Sequence, residues 1–389
     1  MVNLERELLM IPGPTMVSPR VLRALSQPVL SHGSKEFVER FAEALKLQRW
    51  LFMTEGTPLM LAGSGTLGME AIIANVVEKG DRVLCLENGF FGEKWADIVI
   101  AHGGVPDRLR FDWGAGLNLK MISEKLDQGG YKAFTVEHVD TSTGIANPID
   151  KIGELAKDSD ALFIVDSVCG LGGMPFKMDE WNVDLGLTGS QKALGAPPGL
   201  TLFCLNEKAW KAIESRNSPV ADYYADLKRW RPIMEDPRKY FATPATGMVL
   251  GMLEALRIIQ EEGLENRWRR HEIFSKAFRA GLAGMGLKSF PEKGHEAHTL
   301  SVPVIPEGIK DSDVRGLMQL KYGVVVAGGL GSIAGKTIRI GHMGSATTND
   351  VIATLSALEM AMTEFGYKTT LGSGVGAAEQ ILISHRTEG

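Results

Sequence analysis

Through the first two thirds of the chain, short apolar or β-branched runs alternate with longer helix-like segments. That order constrains the fold more than any other feature, because parallel strands need a crossover between them and the crossover is usually a helix. PLMLAGSG (58–65) leads into TLGMEAIIANVVEKG (66–80), where Leu67, Ala71, Ile72 and Val76 recur at helical spacing and Gly80 suits a helix stop. DRVLCLE (81–87), KAFTVEHV (132–139), ALFIVDSV (161–168) and LTLFCLNE (200–207) read as strands, with EKWADIVIAHGG (93–104) and PIDKIGELAKDSD (148–160) as helices between them. The expectation is an α/β fold built on a mainly parallel sheet. Beyond about residue 245 a long helical region (247–286) precedes strand-like TLSVPVI (299–305), a helix around DSDVRGLMQLKY (311–322), and strands VVVAGG and TIRIGH. This predicts a smaller α+β unit attached through the long helix, with the Gly-rich tail after Tyr367 loosely ordered.

Composition narrows the partners. With 389 residues and 44% hydrophobic content the chain can bury a large core. Its 42 basic and 47 acidic residues leave a formal net charge of -5, which gives no general electrostatic reason to bind nucleic acid or an anionic membrane. Small molecules are the expected partners. Cys85, Cys169 and Cys204 cannot form a fully paired framework and show no CxxC spacing, so a reducing cytoplasm is expected. The N-terminus has no signal-peptide core, and no apolar stretch approaches the roughly 20 residues of a membrane span.

Four positions carry candidate chemistry. The strand ALFIVD ends in Asp166, and the C-terminal ends of parallel strands are where ligands bind in such sheets. Taken alone, Asp166 reads first as a cap or turn residue. AGSGT (62–66) ends a strand and opens a helix, so the amides of Ser64, Gly65 and Thr66 can face a phosphate; plain helix capping explains the same residues equally well. LTGSQKALGAPPG (187–199) sets Lys192 among Gly, Ser and Ala, which leaves room beside the amine. Arg339 lies within the apolar strand pattern of TIRIGH, shaped either to clamp a carboxylate or to make a structural ion pair.

Other chemistries are set aside on spacing. In GGLGSIAGKT (328–337) the glycine that a phosphate-binding P-loop needs is Leu330, and a strand follows Lys336, which is expected to be solvated. The histidines of HEAH (295–298) are three apart, where a zinc-protease helix needs four. No G-x-S-x-G elbow exists for a serine hydrolase.

In this order, IPGPTMVSPRVL, AGSGT, NGFFGE, DTSTG, VDSVCGLGG, TGSQKALGAPPG, EEGLENRW and GGLGSIAGKTIRIGHMG resemble the class V aminotransferases that use pyridoxal phosphate, nearest the alanine–glyoxylate and serine–pyruvate or serine–glyoxylate subgroup. The resemblance implies a fold-type I transferase with a seven-stranded sheet in a large domain (21–267), a small C-terminal α+β domain (268–389), and an N-terminal segment (1–20) joining small domain and active site. It implies that Lys192 holds pyridoxal 5'-phosphate as a Schiff base and shuttles the substrate proton, and that Asp166 holds the proton of the pyridine nitrogen. Ser64, Gly65 and Thr66 match the phosphate cup, with Gln191 beside them, and Tyr240 and Thr243 match phosphate contacts drawn from the other subunit of a homodimer. Phe91 and Val168 match the residues on the two ring faces, and Thr141 a polar contact near the ring oxygen. Arg339 and Gly13 match the contacts to the substrate carboxylate. Certain relatives have Trp in place of Phe91 and His in place of Thr66. The implied reaction is transfer of an amino group from alanine or serine to glyoxylate or pyruvate by a ping-pong mechanism. A broader or aspartate-using aminotransferase, a pyridoxal-phosphate lyase or desulfurase, and a catalytically silent scaffold are the alternatives. No cysteine follows Cys204, which disfavours a desulfurase, and the joint presence of Lys192, Asp166 and Arg339 disfavours a scaffold.

Overall fold

The structure is a computed structural model that describes residues 7–384; residues 1–6 of the expected N-terminal segment and residues 385–389 of the tail lie outside it. Seven strands form the central sheet: β1 (Thr57–Gly63), β2 (Arg82–Glu87), β3 (Val105–Arg110), β4 (Tyr131–Glu137), β5 (Leu162–Asp166), β6 (Leu185–Gly189) and β7 (Gly199–Leu205). Their spatial order is β1-β7-β6-β5-β4-β2-β3, and only β7 runs against the others. The expected α/β fold with a mainly parallel sheet is the observed one. The middle strands are buried along their length, as Leu162–Asp166 and Leu185–Gly189 show, because helices cover both faces of such a sheet.

A second apolar cluster packs around Phe278, Val314, Ile338 and Leu358, with Met10 contributed by the N-terminal segment. Leu8–Leu9 pairs in parallel with Val324–Val325, and the Gly341 amide donates to Met10 O. A few residues on, the Thr15 amide donates to Gln191 O. The segment therefore runs from the second cluster to the loop that carries Lys192.

Two details differ from the expectation. The long helical region is two helices, Thr246–Glu262 and Leu264–Gly284, broken at Gly263, whose φ of 78° is one that other residues rarely adopt. The Gly-rich tail is not loose at Ser373–Ser384, which form a helix against Leu264–Gly284. Its glycines permit close approach: a Cβ on Gly374 would lie 2.9 Å from Gly281 O, and one on Gly284 would lie 2.7 Å from Ser373 O. No helix among the described residues is long and apolar enough to cross a membrane.

Candidate active site

At their C-terminal ends the parallel strands deliver separate stretches of sequence to one place. β1 hands over to Ser64, whose hydroxyl caps the helix Gly65–Val76 by accepting from the Leu67 amide at 3.4 Å. The first amides of a helix lack partners inside it, so those of Gly65 and Thr66 stand open to an anion. β5 ends at Asp166 and leads to Val168, β6 leads to Gln191 and Lys192, and Thr141 follows β4 by a short turn. With Phe91 these residues line a cavity of about 140 Å³. A larger cleft of about 480 Å³ opens beside Asp184 and Lys208, at the opposite edge of the sheet.

Phe91 is placed by a carboxylate the sequence reading passed over. Asp140 accepts from the amides of Phe91 at 2.9 Å and Gly92 at 3.1 Å, capping the helix Phe90–Ala101. Gly89 has to be glycine because a Cβ there would lie 2.3 Å from Asp140 Cγ. The Lys94 ammonium stands 4.7 Å from the centre of the Phe91 ring and 3.4 Å from Thr66 Oγ1.

Burial sets the charges. Asp166 is pushed up to about 7, chiefly because burial penalises its anion; the Val168 amide, donating to Oδ1 at 2.7 Å, works the other way. Asp140 is raised by burial as well. Burial lowers the Lys192 ammonium below the usual lysine range, and the positive charge of Arg339 acts in the same direction. A consequence for stability follows. Folded Asp166 keeps its proton up to about 7, whereas an unfolded aspartate releases it near about 3.9, so the contribution of Asp166 to the stability of the ligand-free protein is present below that window and is lost as pH rises through it. Melting temperatures of the wild type and of Asp166→Asn across the window check this: the stability of the wild type relative to the variant should fall as pH rises. A difference that stays constant or grows with pH contradicts it.

The loop bearing Lys192 is fastened by its backbone. Lys192 O accepts from Thr15 Oγ1 at 2.9 Å and from the Gly195 amide at 3.0 Å. Gly13, at φ 134°, lies against the lysine stem: a Cβ there would come within 2.6 Å of Lys192 Cδ. Arg267, buried at 3% exposure, ties the same loop to its neighbours through Ala193 O at 2.6 Å and Gly172 O at 2.9 Å, with Glu262 at 2.6 Å as its counter-ion. These two residues belong to the EEGLENRW stretch, where the acid and the base are visible but their target is not.

Arg339 donates from Nε to Gly328 O at 2.7 Å and from Nη1 to Thr141 O at 3.4 Å. Among the described residues no carboxylate lies within ion-pair distance of it, so the structural ion pair considered above is absent, and Asp140 acts on its charge only from a distance. Tyr240 and Thr243 are not brought to this cavity; Tyr240 is 65% exposed, and Thr243 Oγ1 donates to its hydroxyl at 3.5 Å. Lys336 is exposed, donating to Ser332 O. Cys169 is buried in the cavity wall, 3.6 Å from Thr299 Oγ1. Glu137, unremarked in the sequence, also lines the cavity.

Comparison with known proteins agrees in sequence and in shape. The family described as aminotransferase class-V matches residues 11–354. An uncharacterized aminotransferase of Methanocaldococcus jannaschii is 41% identical over 98% of this chain and 99% of its own. Alanine–glyoxylate aminotransferase 1 of Saccharomyces cerevisiae is 37% identical, covering 88% of this chain and 93% of the yeast protein. The crystal structure of ureidoglycine–glyoxylate aminotransferase from Bacillus subtilis superposes with a TM-score of 0.95 at 33% identity, over 97% of this chain and 98% of that one.

Proposed function

This chain belongs to the class-V aminotransferase family, and we propose that it moves the amino group of alanine or serine to glyoxylate or pyruvate, binding donor and acceptor in turn at one site. Its cofactor is pyridoxal 5'-phosphate. The observation that carries the substrate reading is Arg339: a guanidinium near a buried amine, with no carboxylate in ion-pair contact, is a receptor for an α-carboxylate. Glyoxylate is the shared acceptor in the names of the yeast relative and the Bacillus structure. Arg339 meets the cavity wall through Thr141 O, and among the described residues no arginine lines the cavity itself, which favours donors without a side-chain carboxylate.

The residues present fit the cofactor. One terminal atom of the Gln191 amide is buried without a partner, as a polar group that awaits a ligand is. The open amides of Gly65 and Thr66, with Ser64, would hold the phosphate, and Tyr240 and Thr243 of a second copy would complete its cup. Phe91 and Val168 would flank the ring and Thr141 would face its oxygen. Asp166 would hold the proton on the ring nitrogen, and Lys192 Nζ is the amine that would carry the aldehyde carbon.

Bound there, the cofactor supplies a carbonyl that accepts the amino group and a ring that draws electrons from the substrate α-carbon. Arg339, with the Gly13 backbone, fixes the carboxylate and so orients the α-carbon toward Lys192. Burial disfavours its ammonium, which favours Lys192 as the base that removes the α-proton and later returns it. Gly189, Ser190 and Ala193 leave that amine room to move. A homodimer in the cytoplasm is the setting we assign, consistent with Tyr240 lying exposed away from its own cavity and with three unpaired, buried cysteines.

The test is the visible spectrum of purified protein before and after L-alanine or L-serine, with no acceptor, alongside sedimentation for the dimer. Loss of the band on adding donor, and its return with glyoxylate, is the expected result. A persistent band with release of pyruvate or sulfide would move the assignment to a lyase.

A further inference from the structure

Glu137 and Asp166 end adjacent parallel strands in register. Such strands lie about 4.8 Å apart and paired residues share a face, so two carboxyl groups stand side by side at one end of the cavity. Each is only 3% exposed and both line the cavity. Their partners differ. Asp166 accepts from a backbone amide and feels the attraction of Lys192. Glu137 has one neutral donor, the buried indole of Trp95, with Nε1 2.9 Å from Oε1. Lys94 acts on Glu137 only weakly, while Asp140 and Asp166 both oppose its ionisation.

Glu87, which ends the neighbouring strand β2, is also raised by burial, but there two arginines work against the rise. It is equally buried but sits against two arginines, Arg108 at 3.1 Å and Arg110 at 3.2 Å. Among the described residues no cation stands within ion-pair distance of Glu137. Two carboxylates in a buried site cannot both ionise at little cost, and the one without cation or amide support takes the proton.

We propose that Glu137 is the protonated member of a two-carboxyl unit, a positioning residue whose O–H supports Asp166 as the single anion at this end of the cavity. The inference rests on the reading that Asp166 faces the ring nitrogen. Its effect is to keep Asp166 ionised and directed at that nitrogen without adding a second negative charge. An ionised Glu137 would instead repel Asp166 and raise its proton affinity further. The unit has one proton and one charge to offer, which matches a single cationic N–H.

Two variants separate this from a structural role. Glu137→Gln keeps the shape and a donor; Glu137→Met keeps the bulk and removes the donor. At about pH 8, above the value near 7 to which Asp166 is pushed, infrared spectra of the cofactor-free wild type should show a protonated-carboxyl band that both variants lose. Fluorescence titration with pyridoxal phosphate should give near wild-type affinity for Glu137→Gln. Glu137→Met should bind roughly 10-fold or more weakly, the scale of one hydrogen bond to a charged group, with its binding profile moved to higher pH. The proposal fails if the wild type lacks the band, if Glu137→Gln retains it, or if the two variants lose affinity alike. Should the wild type bind no pyridoxal phosphate, the reading of the site falls, while the infrared result still decides the state of Glu137.

Discussion

Lys192→Ala is expected to abolish transamination, with turnover falling at least about 10⁴-fold, the upper range for one positioned general base. The substitution removes both the attachment point and the proton carrier, and nothing else in the cavity can replace them. The other amine nearby, Lys94, is held over the Phe91 ring beside Thr66. The fold should survive, because the bonds that fasten residue 192 are made by its carbonyl oxygen, which alanine retains. Circular dichroism and sedimentation should therefore match the wild type, while the visible band of the bound cofactor moves to that of free pyridoxal phosphate. A small primary amine added to the variant should restore part of the rate, since the cavity left by the side chain lies where the base was. Transamination retained within about tenfold of wild type would remove Lys192 from the mechanism.

The sheet was legible because its strands are buried on both faces and so read as unbroken apolar runs, ALFIVD and LTLFCL among them. Lys192, Asp166 and Ser64–Thr66 were legible for a related reason: each follows such a run, and the end of a parallel strand is a place where a ligand can be met. What stayed hidden depends on residues distant in sequence. Asp140 matters through Phe91, 49 positions away, and Arg267 through Ala193, 74 positions away. Their partners exist only once the sheet is assembled. Glu137 was hidden in the same way, since the register that sets it beside Asp166 is a property of two strands. The tail helix was misjudged for a different reason. Its glycines lower helix propensity, but they let Ser373–Ser384 approach Gly281 and Gly284 more closely than larger residues could, so packing outweighs propensity there.

Arg339→Ala is expected to weaken binding of α-amino acids and 2-oxo acids by about 2–5 kcal/mol, roughly 30-fold to several thousand-fold in Kd, the range for truncating one side of a buried charge pair. The strand Ile338–Gly341 fixes the direction of the guanidinium: Ile338 and Ile340 turn into the second apolar cluster, so Arg339 between them faces the other way. Two carbonyl oxygens, Gly328 O and Thr141 O, take two of its five N–H groups, orient the fork and leave it without a direct ion-pair partner. A substrate carboxylate supplies the missing charge. Arg339→Lys should recover part of the loss, because it keeps the charge but not the planar fork. A structural arginine would behave differently: its removal would lower the melting temperature and leave Kd unchanged. The decisive comparison uses two donors, L-alanine and an aliphatic amine of similar size without the carboxylate. If the variant discriminates against the first and treats the second as the wild type does, Arg339 reads the carboxylate; equal losses for both would show that it serves the architecture of the site instead.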